Sequence, residues 1–225
     1  FGRHLEHEGW SARDWEDAIL SALRTAVDRR MVADVPVGCL LSGGLDSSLV
    51  VGLLAEAGVR DLLTFSIGFE SHGGIEGDEF RWSDVIAERF ATDHHRIRIS
   101  SDRLLPALGG AIAAMSEPMV SHDVVAFYLL SQEVAKHVKV VQSGQGADEV
   151  FAGYHWYPPM LEPGAAADGG VLAYSEAFFD RPDEAMDEVV AASHRCPDDA
   201  SGTFVSRHFA RPGASTPTDR ALRTD

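Results

Sequence analysis

The residues of this chain best suited to chemistry follow a short apolar run at positions 37–41. Serines, two glycines and one carboxylate come directly after it, and a second apolar run with helical spacing begins at Leu49. This order predicts a buried strand, a tight glycine loop and the first turn of a helix. Such a loop directs unpaired backbone N–H groups and the positive end of the helix dipole at one point, which makes an anion site. We call residues 42–48 loop 1, and its candidate site residues are Ser42, Gly43, Gly44, Asp46, Ser47 and Ser48.

The carboxylate of Asp46 would repel phosphate unless a cation lay between them. Mg²⁺ binds carboxylate and phosphate oxygens together, so loop 1 predicts a magnesium-bound phosphate. Loop 1 is not a P-loop, because no Gly-Lys-Ser/Thr follows at the required spacing, and it lacks the Gly-x-Gly-x-x-Gly pattern. It resembles instead the pyrophosphate loop of the ATP pyrophosphatases, which cleave ATP between the α- and β-phosphates. The alternative interpretation is an ordinary strand-to-helix turn capped by serine.

A second loop with the same layout, residues 143–149, follows an apolar run at 138–142. We call it loop 2. Taken alone, such a turn often only caps a helix, but two strand-end loops can flank one nucleotide. We expect Asp46 and Asp148 to hold Mg²⁺ on the departing pyrophosphate from opposite sides. Phosphoryl chemistry requires mainly positioning and charge neutralisation, which this arrangement would supply.

Strands and helices alternate along the chain. Strands are predicted at 37–41, 62–69, 94–99 and 138–142, and helices at 47–57, 78–90, 104–115 and 124–135, with a first helix opening at Ser11. Ser11 and Asp14 have the spacing of a capping box, and Gly58 suits a helix C-terminus. The alternation predicts an α/β fold with a parallel sheet covered by helices on both faces. Ligands of such sheets bind at the carboxyl ends of strands, where both loops lie.

The character of the sequence changes after Tyr157, where proline- and alanine-rich segments begin. We expect a nucleotide-binding domain at 1–157 and a partly helical, irregular extension at 158–225. A helix is predicted at 178–192, and the tail from Arg211 is expected to be disordered. Because the chain begins with Phe1, we expect a piece of a longer protein.

Composition excludes several classes of function. The 225 residues carry 19 Lys and Arg against 35 Asp and Glu, a formal net charge of −16, which argues against nucleic-acid and anionic-membrane partners. The two cysteines, Cys39 and Cys196, favour a reduced cytoplasmic protein over a disulfide scaffold or a cysteine metal site. His94 and His95 are adjacent in a predicted strand and point to opposite faces, so we interpret them as structural.

Three motifs in order resemble the synthetase domain of glutamine-dependent asparagine synthetases over roughly residues 12–157. They are Ser-Gly-Gly-Leu-Asp-Ser-Ser, Thr-Phe-Ser-Ile-Gly-Phe and Ser-Gly-x-Gly-x-Asp-Glu-Val-Phe-x-Gly-Tyr. Within that family, segments 76–79, 116–123 and 153–158 look closest to N-acetylglutaminylglutamine amidotransferase. The resemblance implies a Rossmann-like fold of the adenine nucleotide alpha hydrolase (PP-loop) type.

The resemblance also implies an enzyme, an ATP-dependent amidotransferase of which this chain is the synthetase domain. A substrate carboxylate attacks the α-phosphate of ATP, pyrophosphate leaves, and ammonia then displaces AMP from the acyl-adenylate. ATP and Mg²⁺ are the implied cofactors, and Asp46 and Asp148 the implied catalytic and metal-binding carboxylates. Loop 1 would hold the pyrophosphate. The implied lining of the adenosine pocket is Leu40, Ile67, Ser143 and Gly144.

Three departures separate this chain from the family pattern. Gln145 stands where the family usually has a glutamate near the reacting acyl group, and glutamine cannot take a proton from ammonia. No lysine follows Lys139, so the family's downstream catalytic lysine is missing. We also expect these 225 residues to lack the glutaminase domain that would supply ammonia. A tRNA-modifying ATP pyrophosphatase, which the acidic charge opposes, and a non-catalytic nucleotide-binding fragment therefore stay open, as does a homodimer.

Overall fold

The computed structural model describes residues 7, 9–70, 77–78, 80–117, 121, 123–162, 164, 168–179, 181–196 and 198–224. The chain divides into two compact units. We call His4–Gln145 the sheet unit and the unit containing Gly146–Asp225 the helical unit. The domain limit expected after Tyr157 stays a prediction; the two units divide earlier, between Gln145 and Gly146.

The sheet unit has four parallel strands among its described residues: β1 (Val37–Leu40), β2 (Leu63–Phe69), β3 (Asp93–Ile99) and β4 (Val140–Gln142). Their order across the sheet is β3-β2-β1-β4. Its helices are α1 (Ala12–Arg30), α2 (Leu45–Glu56), α3 (Phe80–Phe90), α4 (Leu104–Ala114) and α5 (Asp123–Val134). The predicted α/β fold with a parallel sheet is confirmed. No helix in the described ranges combines the length and apolar character needed to cross a membrane.

Each face of the sheet has its own apolar core. Cys39 and Leu41 belong to one core, which they share with Val27 of α1, Val51, Leu53 and Leu54 of α2, and Ala87 of α3. Leu40, which lies between them in sequence, packs on the opposite core with Phe65, Leu130, Val134 and Val138. Alternation along a strand produces this separation. Helices therefore cover both faces, as the sequence predicted.

Local signals set the helix ends. The Ser11 hydroxyl accepts a hydrogen bond from the Asp14 N–H at 3.3 Å, and the Ser11 N–H donates to the Asp14 carboxylate at 2.8 Å, which confirms the capping box. At the end of α2, Gly58 has φ +85° and its N–H donates to the Ala55 carbonyl at 3.0 Å. The Val59 N–H donates to the Leu54 carbonyl at 3.1 Å. This Schellman motif requires a left-handed residue, which glycine adopts without strain.

The strand order reverses between β1 and β4. From β1 the chain passes through α2 to β2 on one side, whereas β4 lies on the other side of β1. Val37 pairs with Val140 and Cys39 with Gln142, so the two strands end at the same level. In parallel sheets this switch point opens a crevice at the carboxyl ends of the strands, where ligands bind. Loop 1 and the first residues of loop 2 emerge there.

The helical unit contains α6 (Ala147–Phe151), α7 (Val171–Phe178), α8 (Met186–Val189), α9 (Ala200–Phe209) and α10 (Pro217–Ala221). Its core is formed by Tyr157, Met160, Tyr174, Val205, Phe209 and Ala221. The helix predicted at 178–192 is wrong: α7 ends at Phe178, and Pro182 follows, which disfavours a helical residue before it. In the tail expected to be disordered, the structure has α10, which is capped by Thr216 and Asp219 and buries Ala221.

The two cysteines differ in environment, and both are free. Cys39 is fully buried, and burial raises the pKa of its thiol from 9.0 to about 12, whereas Cys196 is exposed. We predict that iodoacetamide at pH 8 modifies Cys196 rapidly and Cys39 only after denaturation, as read by peptide mass spectrometry. Native labelling of Cys39 at the rate of Cys196 would contradict this.

The same shift in the Cys39 pKa has a consequence for stability. The unfolded thiol ionises more readily than the folded one. Burial of the neutral thiol therefore contributes fully to the free energy of unfolding below pH 9.0, and this contribution is lost as pH rises toward about 12. In urea unfolding, a Cys39→Ala variant should lack this fall in the free energy of unfolding at alkaline pH, whereas a Cys196→Ser variant should keep it.

Candidate functional site

Loop 1 connects β1 to α2 through a backbone that two glycines shape. Gly44 is the N-cap of α2, with φ −68° and ψ 168° and no side-chain cap. Gly43 has φ +88°, and a Cβ on it would lie 2.5 Å from the Ser83 backbone nitrogen and 2.5 Å from the Trp82 carbonyl carbon. Both the left-handed conformation and the contact with α3 require glycine here. The sequence did not reveal this contact with α3.

Three serine hydroxyls hold loop 1 together. The Ser42 hydroxyl accepts from the Gly44 N–H at 3.2 Å and lies 3.1 Å from the Ser47 hydroxyl, which also accepts from the Ser42 N–H at 3.3 Å. The Ser47 and Ser48 hydroxyls donate to the Gly44 carbonyl at 3.2 and 2.6 Å. Ser47 is buried, whereas Ser42 is exposed. These bonds fix the shape of loop 1, and contact of these serines with pyrophosphate stays a prediction.

The backbone of loop 1 presents donors without protein acceptors. In the described part of the chain, the N–H groups of Gly43, Leu45 and Asp46 form no hydrogen bond to a protein atom. They lie at the N-terminus of α2, where the helix dipole is positive. Unpaired N–H groups at a helix N-terminus bind phosphate or carboxylate readily. The geometry predicted for an anion site is therefore present.

Gly144 joins the beginning of loop 2 to loop 1. A Cβ on Gly144 would lie 2.8 Å from the Ser47 backbone nitrogen and 2.9 Å from both the carbonyl carbon and the Cβ of Asp46. The backbone after β4 therefore packs directly on the first turn of α2. Ser143 and Gln145 are exposed beside this contact, and the Ser143 hydroxyl accepts from the Gln145 N–H at 3.2 Å. The structure thus brings Asp46, Ser143, Gly144 and Gln145 to one place.

Leu40 and Ile67, the expected adenosine-lining residues, are half-buried on one face of the sheet. Leu40 pairs with Phe65 across β1 and β2, and Ile67 lies two residues after Phe65, so all three side chains point the same way. Leu40 and Ile67 both pack on the core formed by Phe65, Leu130, Val134 and Val138. Their contact with adenosine stays a prediction.

Asp148 lies on α6, in the helical unit, so its pairing with Asp46 stays a prediction. A Cβ on Gly153 would overlap the Asp148 carboxylate, and the Gly153 N–H donates to the Asp148 carbonyl at 3.0 Å. Glu149 accepts a hydrogen bond from the Tyr154 hydroxyl at 2.7 Å, which holds the turn after α6. The residues around Asp148 therefore build a closely packed turn.

Magnesium fits the donor set of loop 1. Asp46 is a half-buried carboxylate in the first turn of α2, beside the unpaired N–H groups. Mg²⁺ in nucleotide sites is usually held by one or two carboxylates together with phosphate oxygens and water, not by an all-protein cage. The described residues contain no cluster of three or more His, Cys, Asp or Glu that could hold a metal. A magnesium ion that is coordinated mainly by phosphate oxygens and water does not require such a cluster.

Two acidic residues of the segments used for the branch resemblance lie at the starts of helices. Asp78 accepts from the Phe80 N–H at 3.3 Å, at the start of α3, and pairs with Arg98 at 3.1 Å. Asp123 begins α5, and its N–H donates to the Ser121 hydroxyl at 3.2 Å. Residues 71–76, 79, 118–120 and 122, which include parts of two segments used for the branch resemblance, lie outside the described residues.

His94 and His95 have different surroundings, as their adjacency in a strand predicted. His95 stacks on Phe65 with ring centroids 5.2 Å apart and lies 4.3 Å from the His137 ring. His94 instead hydrogen-bonds to buried hydroxyls beneath loop 1. Sequence reasoning missed this second arrangement, because only the fold brings its members together.

Comparisons with known proteins identify the family. The asparagine synthase family model matches residues 18–212. A putative glutamine-hydrolysing asparagine synthetase from Mycobacterium tuberculosis H37Rv is 39% identical over 149 residues, which are 65% of this chain and 22% of that protein. Asparagine synthetase [glutamine-hydrolyzing] 1 of Bacillus subtilis is 35% identical over 154 residues, 66% of this chain and 24% of that protein.

Among solved structures, an ammonia-dependent NAD synthetase from Campylobacter jejuni is similar over 61% of this chain and 60% of that one, with a TM-score of 0.41 and 15% identity. The sequence alignments cover less than a quarter of the length of the curated relatives. The family model, in contrast, covers most of this chain. The chain belongs to the asparagine synthase family.

Proposed function

We propose that this chain is the synthetase part of an ATP-dependent amide-forming ligase. It activates a small-molecule carboxylate as an acyl-adenylate, which ammonia then converts to an amide. The observation that carries the proposal is the contact of Gly144 with Asp46 and Ser47, because it joins two glycine loops at the switch point of the sheet. One loop there offers unpaired N–H donors and a carboxylate, the groups that a magnesium-bound phosphate requires.

Loop 1 would bind the β- and γ-phosphates through the N–H groups of Gly43, Leu45 and Asp46. Asp46 and Asp148 would hold Mg²⁺, which when bound neutralises charge on the leaving pyrophosphate. Leu40 and Ile67, with Ser143 and Gly144, would seat the adenosine and so orient the α-phosphorus. A substrate carboxylate oxygen then forms a bond to that phosphorus while its bond to pyrophosphate breaks.

In the second step ammonia bonds to the acyl carbon, AMP leaves, and the nitrogen gives up a proton. Gln145 is exposed, and its N–H donates to the Ser143 hydroxyl. Its amide can donate and accept hydrogen bonds but is not a base at neutral pH. We therefore assign Gln145 an orienting role at the acyl group, and the proton goes to another acceptor, such as the leaving phosphate.

Glutamine is the proposed source of ammonia, because the relatives are named as glutamine-hydrolysing asparagine synthetases. We propose that a separate glutaminase domain supplies it and that the protein acts in the cytoplasm, as a monomer or homodimer. The net charge of −16 opposes a tRNA substrate.

A second candidate, nucleotide binding without catalysis, has specific support in Gln145 and in the lack of any lysine after Lys139. We expect the 225-residue chain alone to bind Mg-ATP without efficient turnover. Isothermal titration calorimetry with Mg-ATP should therefore show one site on this chain.

The decisive assay is exchange of labelled pyrophosphate into ATP by the full-length protein. Aspartate and glutamine-terminated dipeptides are the first acids to test, with no acid and with EDTA as controls. We expect exchange that requires one acid and Mg²⁺. Binding of Mg-ATP without exchange for any acid would favour the second candidate, and no binding at all would reject both.

A further inference from the structure

We propose that His94 is a positioning residue for loop 1, because its imidazole holds the two buried serines on which loop 1 rests. This proposal depends on the proposed function, since loop 1 is where the nucleotide would bind. His94 lies on β3, outside loop 1, and its ring contacts hydroxyl groups of β2 and α3.

The ring of His94 lies in a buried polar cluster. Its Nδ1 is 2.8 Å from the Thr64 hydroxyl, and its Nε2 is 3.3 Å from the Ser66 hydroxyl and 3.2 Å from the Ser83 hydroxyl. Thr64 and Ser83 are wholly inaccessible, and Ser66 is 5% exposed. Burying a polar group costs free energy unless it is hydrogen-bonded, so these hydroxyls and the imidazole stabilise the fold only as a paired cluster.

The hydrogen atoms of this cluster can be assigned by counting donors. The Ser66 hydroxyl donates to the Leu41 carbonyl, and the Ser83 hydroxyl donates to the Phe80 carbonyl at 3.1 Å. Both serine oxygens are left as acceptors, so Nε2 of His94 must carry the proton. The Thr64 hydroxyl lies 2.8 Å from both Nδ1 and the Thr92 hydroxyl, so it donates to Nδ1 when the ring is neutral and to Thr92 when the ring is charged. The cluster therefore requires a proton on Nε2 of His94, where the imidazole donates to the two serines.

One serine contacts the residue directly before loop 1, and the other contacts loop 1 itself. Ser66 binds the carbonyl of Leu41, the residue that precedes loop 1. The Ser83 backbone packs against Gly43 of loop 1, where an added Cβ would lie 2.5 Å from the Ser83 backbone nitrogen. His94 thus ties β2 and α3 together at the two points where they meet the loop. Without the imidazole, these two supports lose their common hydrogen-bond donor.

Charged neighbours of His94 come from α3 and β3. Asp84 lies 3.9 Å from Nε2 and pairs with Arg96 at 2.7 Å; Glu88 lines the same cleft, and His95 is adjacent. Burial lowers the pKa of His94 below 6.5, although Asp84 opposes this. The neutral ring is therefore favoured in the fold, and its contribution to stability is complete above pH 6.5 and is lost as pH falls through the lowered pKa.

The test compares His94→Leu and His94→Gln with His95→Gln as a matched control on the same strand. Hydrogen exchange of residues 42–48 and calorimetry with Mg-ATP are measured for each protein. We expect His94→Leu to lose protection in loop 1 and to bind Mg-ATP about tenfold more weakly, the scale of one or two lost hydrogen bonds. His94→Gln, which keeps a donor near Nε2, should be intermediate, and His95→Gln should match the wild type.

A folded His94→Leu variant with wild-type protection in loop 1 would overturn the proposal, as would equal effects of His94 and His95 substitutions. If the wild type binds no Mg-ATP but His94 controls exchange in loop 1, the proposed function fails while the positioning role stands. If His94→Leu does not fold, nitrogen NMR of the wild-type ring decides. A ring that carries a proton on Nε2 at pH 7 supports the proposal, and a neutral ring protonated on Nδ1 alone refutes it.

Discussion

Replacing Gly144 with alanine is expected to weaken Mg-ATP binding by about 100-fold. The added Cβ would lie 2.8 Å from the Ser47 nitrogen and 2.9 Å from Asp46 atoms, and backbone atoms cannot turn away as a flexible side chain could. Overpacking of this kind costs about 1–3 kcal/mol. Here the cost falls on the junction of the two loops, so about 2.7 kcal/mol, or about 100-fold, would appear in binding.

The control for Gly144→Ala is Gly109→Ala on α4, where an added Cβ meets no atom within 4 Å. Alanine there should leave Mg-ATP binding unchanged and stabilise the helix by up to ~1 kcal/mol. Calorimetry and urea unfolding of both variants distinguish the effects. Unchanged binding by a folded Gly144→Ala protein would show that this junction does not form the nucleotide site.

Replacing Asp46 with asparagine is expected to remove the magnesium dependence of ATP binding. The carboxylate lies in the first turn of α2, beside N–H donors that would bind phosphate. Loss of one member of a partly buried charge pair costs about 2–5 kcal/mol, so Mg-ATP affinity should fall by roughly 30-fold or more. Without Mg²⁺, the variant should bind ATP at least as well as the wild type, because the repulsion between carboxylate and phosphate is gone.

Asp34→Asn provides the matched control for Asp46→Asn, since it changes the net charge equally at an exposed position before β1. ATP titrations with and without Mg²⁺ should give wild-type results for it. If Asp46→Asn kept a wild-type response to Mg²⁺, the assignment of Asp46 to the metal would be wrong.

The sequence predicted those parts of the fold that depend on local physics. The capping box of Ser11 and Asp14 predicted the start of α1, and Gly58, which is left-handed in the structure, predicted the end of α2. Apolar runs identified β1, β2 and β4, because buried parallel strands have few polar residues. Alternation of polar and apolar residues identified β3, which lies at an edge of the sheet. The prediction of a helix at 178–192 failed because apolar spacing outweighed Pro182, and the capping box at Thr216 in the tail was overlooked.

The candidate site was predictable in its residues more than in its contacts. Parallel strands that end at one edge bring their loops together, so the closeness of Gly144 to loop 1 could be expected. The packing of Gly43 on Trp82 and Ser83 could not, because it depends on where α3 lies over the sheet. Nor could the hydrogen bonds of His94, because they depend on how side chains of the consecutive elements β2, α3 and β3 pack together.

The most direct test of the central claim is a crystal structure of the protein with Mg²⁺ and α,β-methylene-ATP, an analogue that cannot be cleaved between the α- and β-phosphates. The account predicts the β- and γ-phosphates on the N–H groups of Gly43, Leu45 and Asp46, adenosine beside Leu40 and Ile67, and Mg²⁺ between Asp46 and Asp148. A nucleotide bound elsewhere, or carboxylates of Asp46 and Asp148 that do not reach a common metal ion, would contradict it.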